Sequence, residues 1–130
     1  MRIGDAVATV EQFVAAFGRG DLDTLVSLLA RDFVGHITNA DGSVRDADRD
    51  AYVDSVRAMD VPTAHLHVEV PNCVEVEPRR VLVMVEVHAA RAGRALHNFS
   101  GQLLTVRDGA ITELWMVDAL PAESDAFWSA

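Results

Sequence analysis

Asp118 closes an apolar run, ITELWMVD, and the run before it carries Asn98, Ser100 and Gln102 at alternate positions. A carboxylate among apolar neighbours, beside amides and a hydroxyl, suits removal of a proton next to a carbonyl. A strand-end Asp can instead cap the turn that follows, here at Pro121. His36 is a candidate partner, since imidazole shuttles protons at neutral pH; a histidine satisfied by its neighbours is the plainer alternative. Tyr52, the only tyrosine, can orient a ligand carbonyl or pack with its hydroxyl at a rim. His65 and His67 flank Leu66 on a run that reads as a strand, so both imidazoles share a face and form half of a metal set. A third ligand would have to come from His88 or His97, with no carboxylate-rich or cysteine-rich spacing in support, and no metal is expected. No glycine-rich phosphate loop is present, so no cofactor is expected.

These residues need a scaffold, and the apolar periodicity supplies one. Asp5 is placed to cap a first helix in which Ala6, Val10, Phe13 and Phe17, flanked by Val7 and Val14, form one buried stripe. Gly18 and Gly20 end it. Asp21 caps a second, short helix with Leu22, Leu25, Val26 and Leu29 on its face. Residues 33–38 read as a strand, followed by a turn at 39–42. Asp46 or Asp48 starts a third helix with Tyr52, Val56 and Met59 at i, i+4 and i+7, and Pro62 marks its end. The period then changes to two. Residues 63–77, with Pro71 at an edge or bulge, and then 81–90, 97–106 and 111–118 read as strands joined by short turns, hence antiparallel neighbours. The order predicts an α+β domain over residues 1–130, with helices on one face of a mostly antiparallel sheet.

A chain of 130 residues, half of them apolar, can bury a real core. Its formal charge of −9, from 20 acidic and 11 basic residues, argues against nucleic acid and anionic membrane as partners. It fits a soluble protein handling a small, neutral or weakly charged ligand. Cys73 is the only cysteine, so no internal disulfide forms and a cytoplasmic location is expected. Cys73 itself reads as a small strand hydrophobe rather than a nucleophile. The first ten residues lack the apolar core of a signal peptide, and no apolar run reaches the roughly 20 residues of a transmembrane helix.

Three words in this order, FVAAFGRGDLD at 13–23, LLARDFV at 28–34 and VRDGAITELW at 106–115 closing on Asp118, resemble the nuclear transport factor 2-like superfamily. The nearest branches are the polyketide-cyclase-like (SnoaL-like) and ketosteroid-isomerase-like ones. The resemblance implies a strongly curved sheet wrapped around three N-terminal helices as a cone, and a homodimer through the outer sheet face. It does not settle function, because the fold hosts isomerases, cyclases, dehydratases, epoxide hydrolases and non-catalytic binders. The oxyanion tyrosine of ketosteroid isomerases falls on Phe13, their catalytic Asp on Ile37 or His36, and their second oxyanion donor near Gln102. Two of the three roles lack the required chemistry. The Asp-Arg-Asp set of the epoxide-hydrolase branch cannot be placed. The late-strand carboxylate of SnoaL-like cyclases matches Asp118.

Whether Asp118 faces a pocket depends on the turn at Arg107, Asp108 and Gly109. A three-residue turn with a bulge pairs Asn98 with Asp118, Ser100 with Met116, Gln102 with Leu114 and Leu104 with Thr112, all on one face. A two-residue turn at Asp108 and Gly109 opposes Asp118 to Phe99 and splits the polar set. The superfamily pattern favours the first and puts that face inside the cone. Asp118 and His36 are then the acid/base pair, Asn98, Ser100, Gln102 and Tyr52 the polar contacts, and Phe13, Phe17, Met59, Leu104 and Met116 the apolar lining. A two-residue turn at Ala92 and Gly93 sets His88 opposite His97 and Glu86 opposite Phe99 on the outer face. With Leu82, Met84, Leu103 and Trp115, that face reads as a dimer surface. The expected partner is a small hydrophobic, cyclic or carbonyl-containing molecule; the alternative is a binding or scaffold domain without catalysis. Phe127 and Trp128 are expected to pack on the domain, as a lid over the cone mouth, or on a partner subunit.

Overall fold

The structure is a computed structural model that describes residues 5–129. α1 (Asp5–Arg19) buries Ala6, Val10, Phe13 and Val14, with Asp5 in its first turn where a negative charge suits the helix dipole. It stops at Gly20, whose φ of +68° is left-handed and whose Cα faces the Pro62 ring so closely that a Cβ would lie 2.9 Å from it. α2 (Leu22–Ser27) follows, capped by Asp21, whose carboxylate accepts from the Thr24 N–H at 3.2 Å.

β1 (Leu29–Thr38) begins four residues earlier than the apolar pattern indicated, and β2 (Val44–Asp48) is a strand that pattern left out. Only Ala47 of β2 is buried, so its pairing with β1 across the 39–43 loop, not its composition, makes it a strand. Asp48 then caps α3 (Arg49–Met59) by accepting from the Ala51 N–H at 2.8 Å. A 3₁₀ turn, Val61–Ala64, leads into β3 (His67–Glu77), so residues 63–66 are not strand. His65 caps that turn in the left-handed conformation, and the expected strand pairing of His65 with His67 on one face does not form.

β4 (Arg80–Arg91), β5 (Arg94–Arg107) and β6 (Ala110–Asp118) complete a six-stranded sheet of order β2-β1-β6-β5-β4-β3. Every pair is antiparallel except β1 with β6, a parallel contact that closes the two halves of the chain on each other. β2 and β3 are the edge strands, and the β3 register slips between Glu69 and Asn72, around Pro71, which has no N–H for the ladder. α4 (Pro121–Ser129), a fourth helix, carries the C-terminal aromatics. No described helix is long and apolar enough to cross a membrane.

The β5–β6 hairpin follows neither register expected for it. Its turn has two residues, Asp108 (φ +51°) and Gly109 (φ +77°), both left-handed, and Arg107 pairs with Ala110. The bulge lies inside β6: Ile111 opposes Val106, Glu113 opposes Thr105, and Thr112 is the extra residue. Beyond it Leu104 pairs with Leu114, Gln102 with Met116 and Ser100 with Asp118. The one-residue turn difference and the bulge each reverse side-chain parity, so the two cancel. The expected partners are wrong by two residues and Thr112 drops out of the ladder, yet the rest of the expected set shares the inner face.

That face is apolar at one end and polar at the other. Val81, Leu104, Val106, Ile111 and Leu114 form a fully buried floor with Leu25 and Phe33. Toward the hairpin of β4 and β5 come Gln102 with Met116, then Ser100 with Asp118, then Asn98. α1 and α3 cover the face, and Tyr52 joins them: its ring centroid is 6.2 Å from Phe13 and 5.3 Å from Phe33.

Candidate active site

The helices do not fill the polar end of the sheet. A cavity of about 870 Å³ remains there, large enough for a multi-ring organic molecule. Phe13, Phe17, Tyr52 and Met59 line it from α1 and α3, and Asn98, Ser100, Gln102, Met116 and Asp118 from the sheet. Of the apolar residues expected there, Leu104 alone does not reach it: it is 0% exposed, in the floor beneath.

Asp118 is half-buried and does two things at once. Its Oδ1 accepts from Asn98 Nδ2 at 2.7 Å and from the Leu120 N–H at 2.9 Å, the second of these capping the turn into α4. Oδ2 accepts no hydrogen bond from the described residues. The backbone is held too: the Asp118 N–H donates to Thr38 Oγ1 at 3.3 Å, and that hydroxyl donates to the Met116 carbonyl at 2.8 Å. Asn98, 5% exposed, is itself oriented by the Phe99 N–H, which donates to its Oδ1 at 2.8 Å. A buried amide fixed at one end presents its NH₂ to the carboxylate in a set direction.

Two further groups face the cavity without full satisfaction. Gln102 Nε2 donates to Ser100 Oγ at 3.2 Å, but its Oε1 is buried with no partner among the described residues. A buried acceptor in that state costs about 1–3 kcal/mol unless a water or ligand donor reaches it. The Tyr52 ring is buried, which pushes its phenol well above the usual range and keeps the hydroxyl a donor at neutral pH. That hydroxyl has no hydrogen-bond partner among the described residues.

His36 is not part of this site. Phe33, Gly35 and Ile37 point inward along β1, so alternation sends His36 to the outer face, where its ring stacks on Trp115 at 3.8 Å. The expected pairing of His36 with Asp118 is therefore corrected. Nδ1 of His36 lies 2.7 Å from Asp46 Oδ1 and Nε2 lies 2.9 Å from Glu113 Oε2, and the side chain is 13% exposed. Burial opposes protonation, but the two carboxylates outweigh it and hold His36 above its ordinary value. The stability this contributes is fully present below about pH 6.5, the unfolded value, and is lost as pH rises through the raised folded value. Urea midpoints of the wild type and His36→Gln should therefore differ most near pH 6 and converge toward pH 9. A gap that stays constant would contradict this.

Sequence reasoning missed Arg91. Its Nη1 donates to the Met59 carbonyl at 2.7 Å and to Thr63 Oγ1 at 3.1 Å, and its Nη2 to the Trp128 carbonyl at 3.4 Å. The guanidinium also lies 5.7 Å from the ring centroids of both Phe127 and Trp128. Phe127 is buried against Ala64, Ala89 and Leu96, so α4 is anchored beside the cavity and Trp128 lines it. An arginine ending one strand carries no local signal of this role.

Cys73 is half-buried, and burial, with Glu11 adding to it, pushes its thiol up, which makes it a poor nucleophile.

Comparison with known proteins agrees with the architecture. An uncharacterized protein of Mycobacterium tuberculosis, Rv0034, is 30% identical over 125 residues, or 92% of this chain and 93% of that one. Among solved structures, AclR of Streptomyces galilaeus, a candidate hydroxylase, superposes with a TM-score of 0.77 at 19% identity, over 99% of this chain and 88% of its own. IdmH of Streptomyces antibioticus, a candidate polyketide cyclase, gives 0.72 at 23%, over 88% and 91%. An LEH-like epoxide hydrolase of M. tuberculosis gives 0.74 at 19%, over 95% and 89%. Such low identities establish a shared nuclear transport factor 2-like fold and leave the chemistry to the residues. The model of the SnoaL-like domain matches residues 10–114, and on that match the chain belongs to the SnoaL-like domain family.

Proposed function

We propose that this protein is an acid/base enzyme of the isomerase, cyclase or dehydratase type, acting without a cofactor on a hydrophobic cyclic or carbonyl-containing metabolite. One observation carries the reading. Asp118 is a carboxylate on the inner sheet face, held through Oδ1 while Oδ2 takes no donor from the described residues, beside a cavity walled by Phe13, Phe17, Met59 and Met116. Oδ2 then takes a proton from carbon next to a carbonyl, and the Tyr52 hydroxyl or the amide of Gln102 holds the oxygen as it gains charge. Returning the proton at a different atom completes an isomerisation. Returning it instead to a β-hydroxyl, which leaves as water as the C–O bond breaks, completes a dehydration. The candidate hydroxylase, candidate polyketide cyclase and epoxide hydrolase named on the same fold are consistent with an organic substrate.

Exchange in D₂O tests the proposal without knowledge of the product. A panel of enolisable cyclic ketones, followed by NMR, should show deuterium entering the carbon next to the carbonyl with the wild type and not with Asp118→Asn. A second reading, binding without turnover, is favoured by the structural use of Asp118 Oδ1. Saturable binding of a panel ketone with no exchange above buffer would select it.

We further propose a homodimer through the outer sheet face, where Leu82 and Met84 of β4 and Trp115 and Val117 of β6 are all exposed on either side of β5. Sedimentation of the wild type should give twice the chain mass, and Leu82→Asp combined with Trp115→Asp the single mass. A monomeric wild type at high micromolar concentration would exclude it. The lone Cys73 suits a reducing, cytoplasmic setting.

A further inference from the structure

The outer face is not uniform. Its middle is apolar, but the end next to the β4–β5 turn is a row of imidazoles. The registers His67↔His88 and His88↔His97 set three histidines side by side across β3, β4 and β5, with Glu69 and Glu86 paired one pleat further along. The His88 and His97 rings stack with centroids 4.3 Å apart and planes 13° from parallel, and the His67 ring is 6.2 Å from His88.

The tips of these rings converge. Nε2 of His97 lies 2.6 Å from Glu86 Oε2, and Nε2 of His88 lies 3.2 Å from the same oxygen. All three ligand atoms fall within 4.8 Å of one another. Hydrogen bonding accounts for this only if both rings carry the Nε2 proton and share one acceptor atom. A single cation in place of those protons satisfies all three groups. Tetrahedral coordination with bonds of 2.0–2.1 Å requires ligand atoms about 3.3 Å apart. The Glu86 oxygen already lies 2.6 and 3.2 Å from the two nitrogens, and the nearly parallel rings would turn toward the ion on backbones tied by the ladder and by the two-residue turn at Ala92 and Gly93.

We propose that Glu86, His88 and His97 form a binding site for a divalent transition-metal ion of the zinc class. Two imidazoles and one carboxylate are a borderline donor set, which excludes calcium and magnesium as preferred occupants. The three atoms leave a fourth position open. His67, next in the row, is the donor this chain can supply there, and water fills it otherwise. This set differs from the His65 and His67 pair that the sequence offered, and it lies on the opposite side of the sheet from the cavity. The segment it would stiffen, residues 97–99, also carries Asn98, the residue that orients Asp118.

The test uses the full chain after chelator treatment, titrated with Co²⁺ at pH 7.5, followed by its visible d–d bands, then by Zn²⁺ displacement and calorimetry. The expected result is saturable binding of one ion per chain that Zn²⁺ displaces. His88→Gln and His97→Gln should each weaken binding by at least about tenfold, the lower end of what lost support at metal sites costs. His65→Gln, outside the cluster, should leave the affinity unchanged. Circular dichroism of the two weakened variants checks that they are folded, and Glu86→Gln keeps the test informative if either is not. Failure to saturate at millimolar Co²⁺, or an affinity unaltered in folded His97→Gln, would overturn the site and leave a hydrogen-bonded histidine pair.

Discussion

Asp118→Asn is expected to lower the exchange rate, and turnover of any substrate found through it, by roughly 10²–10⁴-fold, the usual contribution of a positioned general base. Asparagine is the right replacement because of what Oδ1 does. The amide oxygen can still accept from Asn98 Nδ2 and the Leu120 N–H, so the turn into α4 keeps its cap. Alanine would remove base and cap together, and a loss of activity could then come from displacement of Trp128 and α4. With asparagine the loss should fall on kcat, with KM little changed, the pattern of a group acting in the transition state. Unaltered exchange in a folded Asp118→Asn protein would end the catalytic reading and leave the cavity as a binding site.

The largest stability effect should come from Leu104→Ala, at about 2–5 kcal/mol. Leu104 is fully buried, pairs with Leu114 across the β5–β6 ladder and with Val81 across β4–β5, and lies in a floor of residues that are themselves fully buried. Those strands are fixed on both sides, so the void left by the side chain cannot collapse easily. Met116→Ala is the informative comparison. Met116 is half-buried at the cavity wall, so its truncation should cost less stability and change ligand affinity more. Urea unfolding measures the first quantity and titration with a panel ketone the second. A Leu104→Ala cost below about 1 kcal/mol would show that the floor is not packed as described.

Much of the fold was legible because burial imposes period. The stripe of α1, the Tyr52, Val56 and Met59 face of α3, and the strands β4 to β6 all follow from apolar spacing. β2 was not legible, since four of its five residues are exposed and only its partner makes it a strand. α4 was missed for a related reason: its helix is short and weakly amphipathic, and its place depends on Arg91 and a pocket for Phe127. The error over His36 was avoidable. Phe33 and Ile37 share strand parity and are the large apolar residues of β1, which assigns His36 to the other face.

By itself the sequence determined the order of elements, the α+β class and which residues share a face with Asn98 within β5 and with Asp118 within β6, because strand alternation allows no other assignment over most of each strand. It also confined any acid/base chemistry on that face to Asp118. Only the tertiary structure decided the register of the hairpin, since Arg107 to Gly109 accommodates two turns and the bulge at Thr112 has no local signature. It alone brought Asn98 and the Leu120 N–H to the Asp118 carboxylate and the Thr38 hydroxyl to its backbone N–H, and closed β1 on β6 in parallel. These are contacts between segments up to 80 residues apart, set by how the sheet curves, and no periodicity within a segment encodes them.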